Sequence, residues 1–109
     1  MLTRKALNQR VTNFIADLNA AGYMPYRVVL FGSYAKGKPH AHSNIDLAVW
    51  DQKFTGCSTI DIEPIASIVS KYPLLELHPF SLDDTEYNNP FVKEILKQGV
   101  LSPVCLCNS

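Results

Sequence analysis

Residues 28–50, VVLFGSYAKGKPHAHSNIDLAVW, decide how this chain folds. Val28 to Phe31 is a short β-branched and aromatic run that stops at Gly32-Ser33, where a backbone without a Cβ can turn sharply and come close to a ligand. Beyond Ser33 and ten intervening residues, the run Asn44-Ile45-Asp46-Leu47-Ala48-Val49-Trp50 alternates with a period of two. That period predicts a strand with Asn44, Asp46 and Ala48 on one face and Ile45, Leu47 and Val49 on the other. Two polar groups therefore point the same way, beside a turn that can hold an anion.

Upstream, Leu7, Val11, Phe14, Ile15 and Leu18 recur at helical spacing, with Thr3 as N-cap and Gly22 as stop, so an amphipathic helix packs on the sheet. Downstream of a loop at 51–58, the stripe Ile65, Ile68, Val69 and Tyr72 predicts one helix from about Asp61 to Lys71, with Pro64 in its first turn and Pro73 ending it. This helix is the crossover back to the sheet. Leu74 to Phe80 reads as a third strand with Glu76 and His78 on one face and Leu75 and Leu77 on the other. Asn89 as N-cap, Pro90 at the first helical position and Gly99 as stop bound a last helix that packs through Phe91, Ile95 and Leu96. Val100 to Val104 can add a short strand. The expected fold is α/β (α+β), a small mixed sheet flanked by helices, with residues 1–104 as a single domain and 105–109 as a frayed tail.

The 109 residues suffice for one core, and 47% hydrophobic content is ordinary for a globular chain. Ten basic residues balance ten acidic ones, which argues against a long nucleic-acid track or an anionic membrane surface but leaves a small polyanionic ligand open. No export signal or membrane span is legible, so the expected compartment is the cytoplasm. Cys57, Cys105 and Cys107 make an odd set without metal-ligand spacing and read as reduced thiols.

Gly32-Ser33, ten residues, then Asn44-x-Asp46 resembles the signature of the DNA polymerase β-like nucleotidyltransferases, in particular their smallest branch, the minimal nucleotidyltransferases associated with antitoxins. The Asn-Pro-Phe, helix, Gly-Val ending resembles that branch too. The likeness covers most of the chain, and only the central stretch is specific. It implies a Gly-Ser turn that holds the triphosphate of an NTP, metal-binding carboxylates on the second strand and a third acid on a neighbouring one. Carried over residue by residue, Gly32 and Ser33 bind nucleotide, Asp46 and Glu76 are catalytic, and Asn44, Asp46 and Glu76 hold Mg2+ or Mn2+. Asn44 stands where the family has its first Asp, and Glu76 where it usually has Asp.

Several assignments keep a plainer alternative. Lys36 and Lys38 either add charge to the phosphate turn or are solvated surface groups. Glu76 either binds metal or pairs with a lysine at a strand edge. His40 and His42 are ordinary loop residues, or ligands that would shift the site toward Mn2+. His78 is a supporting or acceptor-side group, or has no role. The activity implied is transfer of a nucleoside monophosphate, AMP foremost, from an NTP to a hydroxyl by a two-metal mechanism weakened at Asn44. A second class is a catalytically impaired module that binds a nucleotide or a partner, such as an antitoxin-like partner of a HEPN-type protein. A chain this small has no room for its own acceptor domain, which points to an acceptor on a partner protein or shared across a homo-oligomer.

Overall fold

The computed structural model describes residues 3–32 and 44–101. Helix α1 (Arg4–Ala20) starts at Thr3, whose hydroxyl accepts from the Ala6 N–H at 3.1 Å. Leu7, Val11, Phe14, Ile15 and Leu18 are all buried, so the predicted stripe is the face that packs. Strands β1 (Arg27–Phe31), β2 (Ile45–Trp50), β3 (Leu75–Phe80) and β4 (Val100–Leu101) form a mixed four-stranded sheet in the order β3-β2-β1-β4. β1 runs antiparallel to β2 and β4, whereas β2 and β3 are parallel and need the crossover between them.

That crossover differs from the single helix expected from Asp61 to Lys71. It is α2 (Ser58–Ile62), a 3₁₀ turn at Glu63–Ile65 and α3 (Ala66–Val69). Pro64 sits in the first turn of the 3₁₀ segment, where its missing N–H costs nothing, and the ladder restarts behind it. Asp61 is the other reason for the early start. Its buried carboxylate accepts from the N–H and hydroxyl of Thr55 and from the Gly56 N–H, at 2.8–3.0 Å, and so ties the preceding loop to α2.

The sheet separates two cores. Val28, Ile45, Leu47, Val49, Leu75 and Leu77 face α1 and the crossover, together with Phe14, Leu18 and Ile65. Val29, Phe31, Ala48, Trp50 and Phe80 face α4 (Pro90–Gln98), which contributes Val92 and Ile95. The Asn89 side-chain Oδ1 caps α4 by accepting from the Phe91 and Val92 N–H groups. Val92 is the fully buried contact of this helix and Phe91 is half exposed, which reverses the weight expected for Phe91. Pro79 lies in β3 at the edge of the sheet, the place where a strand tolerates proline. Nearby, the Leu75 N–H is taken up by the Tyr72 carbonyl at 2.9 Å.

Candidate functional site

β2 and β3 pair in a register that sets Asp46 opposite Glu76 and Ala48 opposite His78. The alternation that buries Leu47 and Leu77 under α1 therefore turns Asp46, Glu76 and His78 to the α4 face, at the end where β1 runs out into Gly32. Phe31 of β1 is paired with Asp46, so the turn after β1 abuts the same carboxylate. Gly32 has φ +78°, a conformation that L side chains rarely adopt, and a Cβ there would collide with the Asp46 carboxylate. The close approach explains why glycine is needed at this position.

The three polar side chains converge. His78 Nε2 lies 3.5 Å from Asp46 Oδ1 and 3.6 Å from Glu76 Oε1, distances too long for good hydrogen bonds. Nε2 is buried and has no hydrogen-bond partner among the described residues. The imidazole packs against the rings of Phe31 and Phe91, with centroids at 5.0 and 5.9 Å, the three rings forming a triangle. Asp46 is about a quarter exposed, Glu76 about half, so the cluster opens to solvent on the Glu76 side. Burial pushes the Asp46 carboxyl above its usual range; His78 opposes that shift and the neighbouring Glu76 charge adds to it.

Asn44 lies just before β2, exposed, and its Nδ2 donates to Glu76 Oε2 at 3.2 Å. Its amide is thus turned to the carboxylate, leaving only Oδ1 for a cation. Ser33 and Lys36, expected at the phosphate turn, lie outside the described residues, as do Lys38, His40, His42, Cys105 and Cys107. Cys57 is an exposed free thiol ahead of α2.

The donor set fits a divalent cation. Asp46, Glu76 and His78 each offer one ligand atom, and these atoms lie within 4.8 Å of one another. Two carboxylates side by side and an unpartnered imidazole nitrogen are costly as they stand, roughly 1–3 kcal/mol for an unsatisfied buried polar group, and a cation relieves both. The sequence pattern located Asp46 and Glu76; it gave His78 only a supporting place. The walls formed by Phe31 and Phe91 carried no signal beyond their apolar character.

The family model for Polymerase beta, Nucleotidyltransferase matches residues 20–102, most of the chain and all of the site. No curated protein matches the sequence. Among solved structures, a toxin-antitoxin complex crystallised with AMP-PNP is similar at 22% identity and a TM-score of 0.55, over 83% of this chain and 70% of that one. A structure named as a putative nucleotidyltransferase from Sulfolobus solfataricus aligns at 15% identity and a TM-score of 0.57, over 87% and 78% of the two chains. At these identities the structural likeness speaks for the fold. With the family model spanning β1, the Gly32 turn, β2 and β3, the chain belongs to the polymerase β nucleotidyltransferase family.

Proposed function

We propose that this protein, as a minimal, antitoxin-type member of its family, binds an NTP at the Gly32 turn and transfers its nucleoside monophosphate, AMP foremost, to a hydroxyl. The observation that carries this reading is the side-by-side placement of Asp46 and Glu76 on parallel strands, against a glycine turn that a side chain would close. In the reaction, the acceptor oxygen attacks the α-phosphorus in line, and pyrophosphate leaves. Divalent cations, Mg2+ or Mn2+, bound by Asp46 and Glu76 would neutralise the charge that grows on the leaving group and acidify the attacking hydroxyl.

The chain's own groups do the rest. The Gly32 turn brings backbone within reach of phosphate oxygens, and Ser33, with Lys36, supplies N–H, hydroxyl and charge to the β and γ phosphates. Asp46, at the junction of turn and strand, is placed between triphosphate and acceptor, while Glu76 faces the open side where the acceptor enters. The acceptor comes from a partner protein, of HEPN type, or from a second copy of this chain. The toxin-antitoxin complex with AMP-PNP supports both a nucleotide and a protein partner for this reading.

Asn44 favours a second reading. Its amide contributes a dipole where a carboxylate would contribute a charge worth up to about 4 kcal/mol of attraction at an effective dielectric near 20. Its hydrogen bond to Glu76 also occupies one of the carboxylate oxygens the chemistry would use. On that reading the protein keeps the nucleotide or the partner without turnover.

Thermal unfolding with ATP, with and without Mg2+ or Mn2+, separates the two from an inert scaffold. A nucleotide present at about 100 times its Kd adds about 2.7 kcal/mol, on the order of 10 °C for a domain of this size. A metal-dependent rise that vanishes in Asp46→Ala establishes the nucleotide site, and a product assay with the partner then decides on transfer. The absence of any shift removes the nucleotide from both readings.

A further inference from the structure

We propose that Phe91 is the base platform of this site: the nucleobase of the bound NTP stacks on its ring, so the site takes purines ahead of pyrimidines. The inference rests on the reading that an NTP binds at the Gly32 turn, and it names the side chain that receives the base.

Phe91 is 48% exposed, whereas Phe31 and Phe80 beside it, and Val92 and Ile95 on the same helix, are buried. A lone exposed phenylalanine is ordinary. This one differs in its place and in its orientation.

Its ring centroid lies 6.0 Å from that of Phe31, the last residue of β1 before the Gly32 turn. On the other side it lies 5.9 Å from the imidazole of His78, whose Nε2 is 3.5 Å from Asp46. Phe91 thus stands one ring away from the turn assigned to the phosphates and one ring away from the carboxylate assigned to the reacting centre. A nucleotide is built to the same plan, with one ribose between its α-phosphate and its base.

The rings of Phe31, His78 and Phe80 meet Phe91 at 84°, 72° and 56°. Among the described residues no ring lies parallel to Phe91 and no cation lies over it, so its stacking position is untaken. Trp50 shows the contrast, with Phe80 stacked at 24° and Arg27 over the indole. The three rings against Phe91, with Pro90 before it and the Asn89 cap beneath it, leave the side chain little freedom to lose when a ligand arrives.

A fixed ring with an open stacking position selects a flat aromatic ligand. Base stacking on an aromatic side chain tolerates any base, since each has a π-face, and the purine face is the larger. Phenylalanine has no polar atom to read a base edge, so Phe91 separates purine from pyrimidine and leaves adenine against guanine to other groups. An aromatic side chain on the acceptor is the other candidate occupant. The contact with Phe31, on the side of the phosphate turn, places Phe91 with the nucleotide, whereas the acceptor enters on the Glu76 side.

The test measures binding by the full chain, with Mn2+, of ATP, CTP and inorganic tripolyphosphate, which keeps the phosphates and lacks the base. Phe91→Leu, which stays apolar and loses the π-face, should weaken ATP by on the order of 10-fold and leave tripolyphosphate unchanged. Phe91→Trp should hold ATP or tighten it. The native chain should prefer ATP to CTP, and the gap should narrow in Phe91→Leu. Adenine H2 or H8 should show NOEs to the Phe91 ring protons in the native chain, a readout that survives any variant that fails to fold.

Phe91→Leu that binds ATP like the native chain, an equal loss of tripolyphosphate, or an adenine without NOEs to Phe91 each overturns the proposal. Transfer that falls in Phe91→Leu while ATP binding holds also overturns it, and gives the ring to the acceptor. A native chain that binds ATP and tripolyphosphate without regard to Phe91 sinks the platform alone. A native chain that binds neither sinks the nucleotide reading and the platform with it.

Discussion

The two ends of the β2–β3 pair make opposite use of the same geometry. At one end Asp46 stands opposite Glu76, with an unpartnered imidazole between them; four residues on, Trp50 stands opposite Phe80. There the two rings stack at 4.9 Å, the Arg27 guanidinium lies over the indole at 4.6 Å, and the indole N–H donates to the Asp84 carbonyl at 2.8 Å. At the Trp50 end the indole is stacked, capped by a cation and hydrogen-bonded within the fold, and the groups left without a partner among the described residues are single atoms, Arg27 Nε and Asp51 Oδ2, of side chains beside it. At the Asp46 end the fold holds two carboxylates and an imidazole together at 3.5–3.6 Å, too far for good hydrogen bonds. A strand pair can do both because its faces alternate while its register carries one face from core to site.

The largest expected effect tests the Trp50 end. Trp50→Ala should cost about 3–5 kcal/mol in urea unfolding, through the cavity and the freed Asp84 carbonyl. Its counterpart Glu76→Ala should stay within about 0.5 kcal/mol or stabilise the protein, since it removes a like charge from Asp46. Equal losses at both ends would erase the distinction. Gly32→Ala comes next, at about 1–3 kcal/mol, because its positive φ strains an L residue and its Cβ meets the Asp46 carboxylate. The same variant should lose any stabilisation by nucleotide, measured by the shift of the melting midpoint.

Asn44→Asp should cost about 1 kcal/mol without metal, as the new carboxylate faces Glu76 in a water-like dielectric. Millimolar Mg2+ or Mn2+ should restore it, and transfer activity with a competent partner should rise. If the variant gains nothing from either ion, Asn44 is not what limits the site.

The smallest effect lies away from both ends, where the Tyr72 hydroxyl donates to Asp17 at 2.6 Å and Lys71 reaches the same carboxylate at 3.3 Å. The Tyr72 hydrogen bond holds the Asp17 carboxyl below its ordinary value of 3.8, against the opposing effect of burial. Burial and the Asp17 charge push Tyr72 up from 10.0 to about 12. The Asp17 contribution is therefore present above the ordinary carboxylate range and lost as pH falls through the lowered value. The Tyr72 contribution is present below pH 10 and lost as pH rises toward about 12. Tyr72→Phe should lower the midpoint slightly near neutrality and flatten both limbs, as melting curves across pH will show.

How far the fold was readable follows from the kind of signal each element carries. The alternation in 45–50 and 75–80 states which residues share a face, and the structure has Asp46, Glu76 and His78 together on one and Leu47 and Leu77 on the other. Capping chemistry placed both ends of α1 and α4, since Thr3 and Asn89 act locally. The crossover was misread because its periodic stripe survives a 3₁₀ interruption, and a stripe says nothing about hydrogen bonds lost at Pro64. Asp61 entered the sequence reading only as the approximate start of a helix, and only the folded loop brings three donors to it. His78 is the same lesson in the site. That it is a neighbour of Glu76 is legible, but that its Nε2 lies within 4 Å of carboxylates on two strands depends on a parallel register no local pattern states.

The edge strand has a bearing on how the molecule meets other chains. The Leu74 and Phe80 carbonyls accept from Ile45 and Asp51, so the even-numbered residues of this stretch turn their backbone groups inward and 75, 77 and 79 turn theirs outward. Leu75 has already spent its N–H on Tyr72, and Pro79 has none to offer. Among the described residues, Leu77 alone presents an outward N–H along that whole margin. A visiting strand would find one donor there in place of three, so growth of the sheet by templating is disfavoured at β3. A protein that docks along β3 must recognise it chiefly by side chains and shape, and the backbone itself guards against runaway self-assembly from that side.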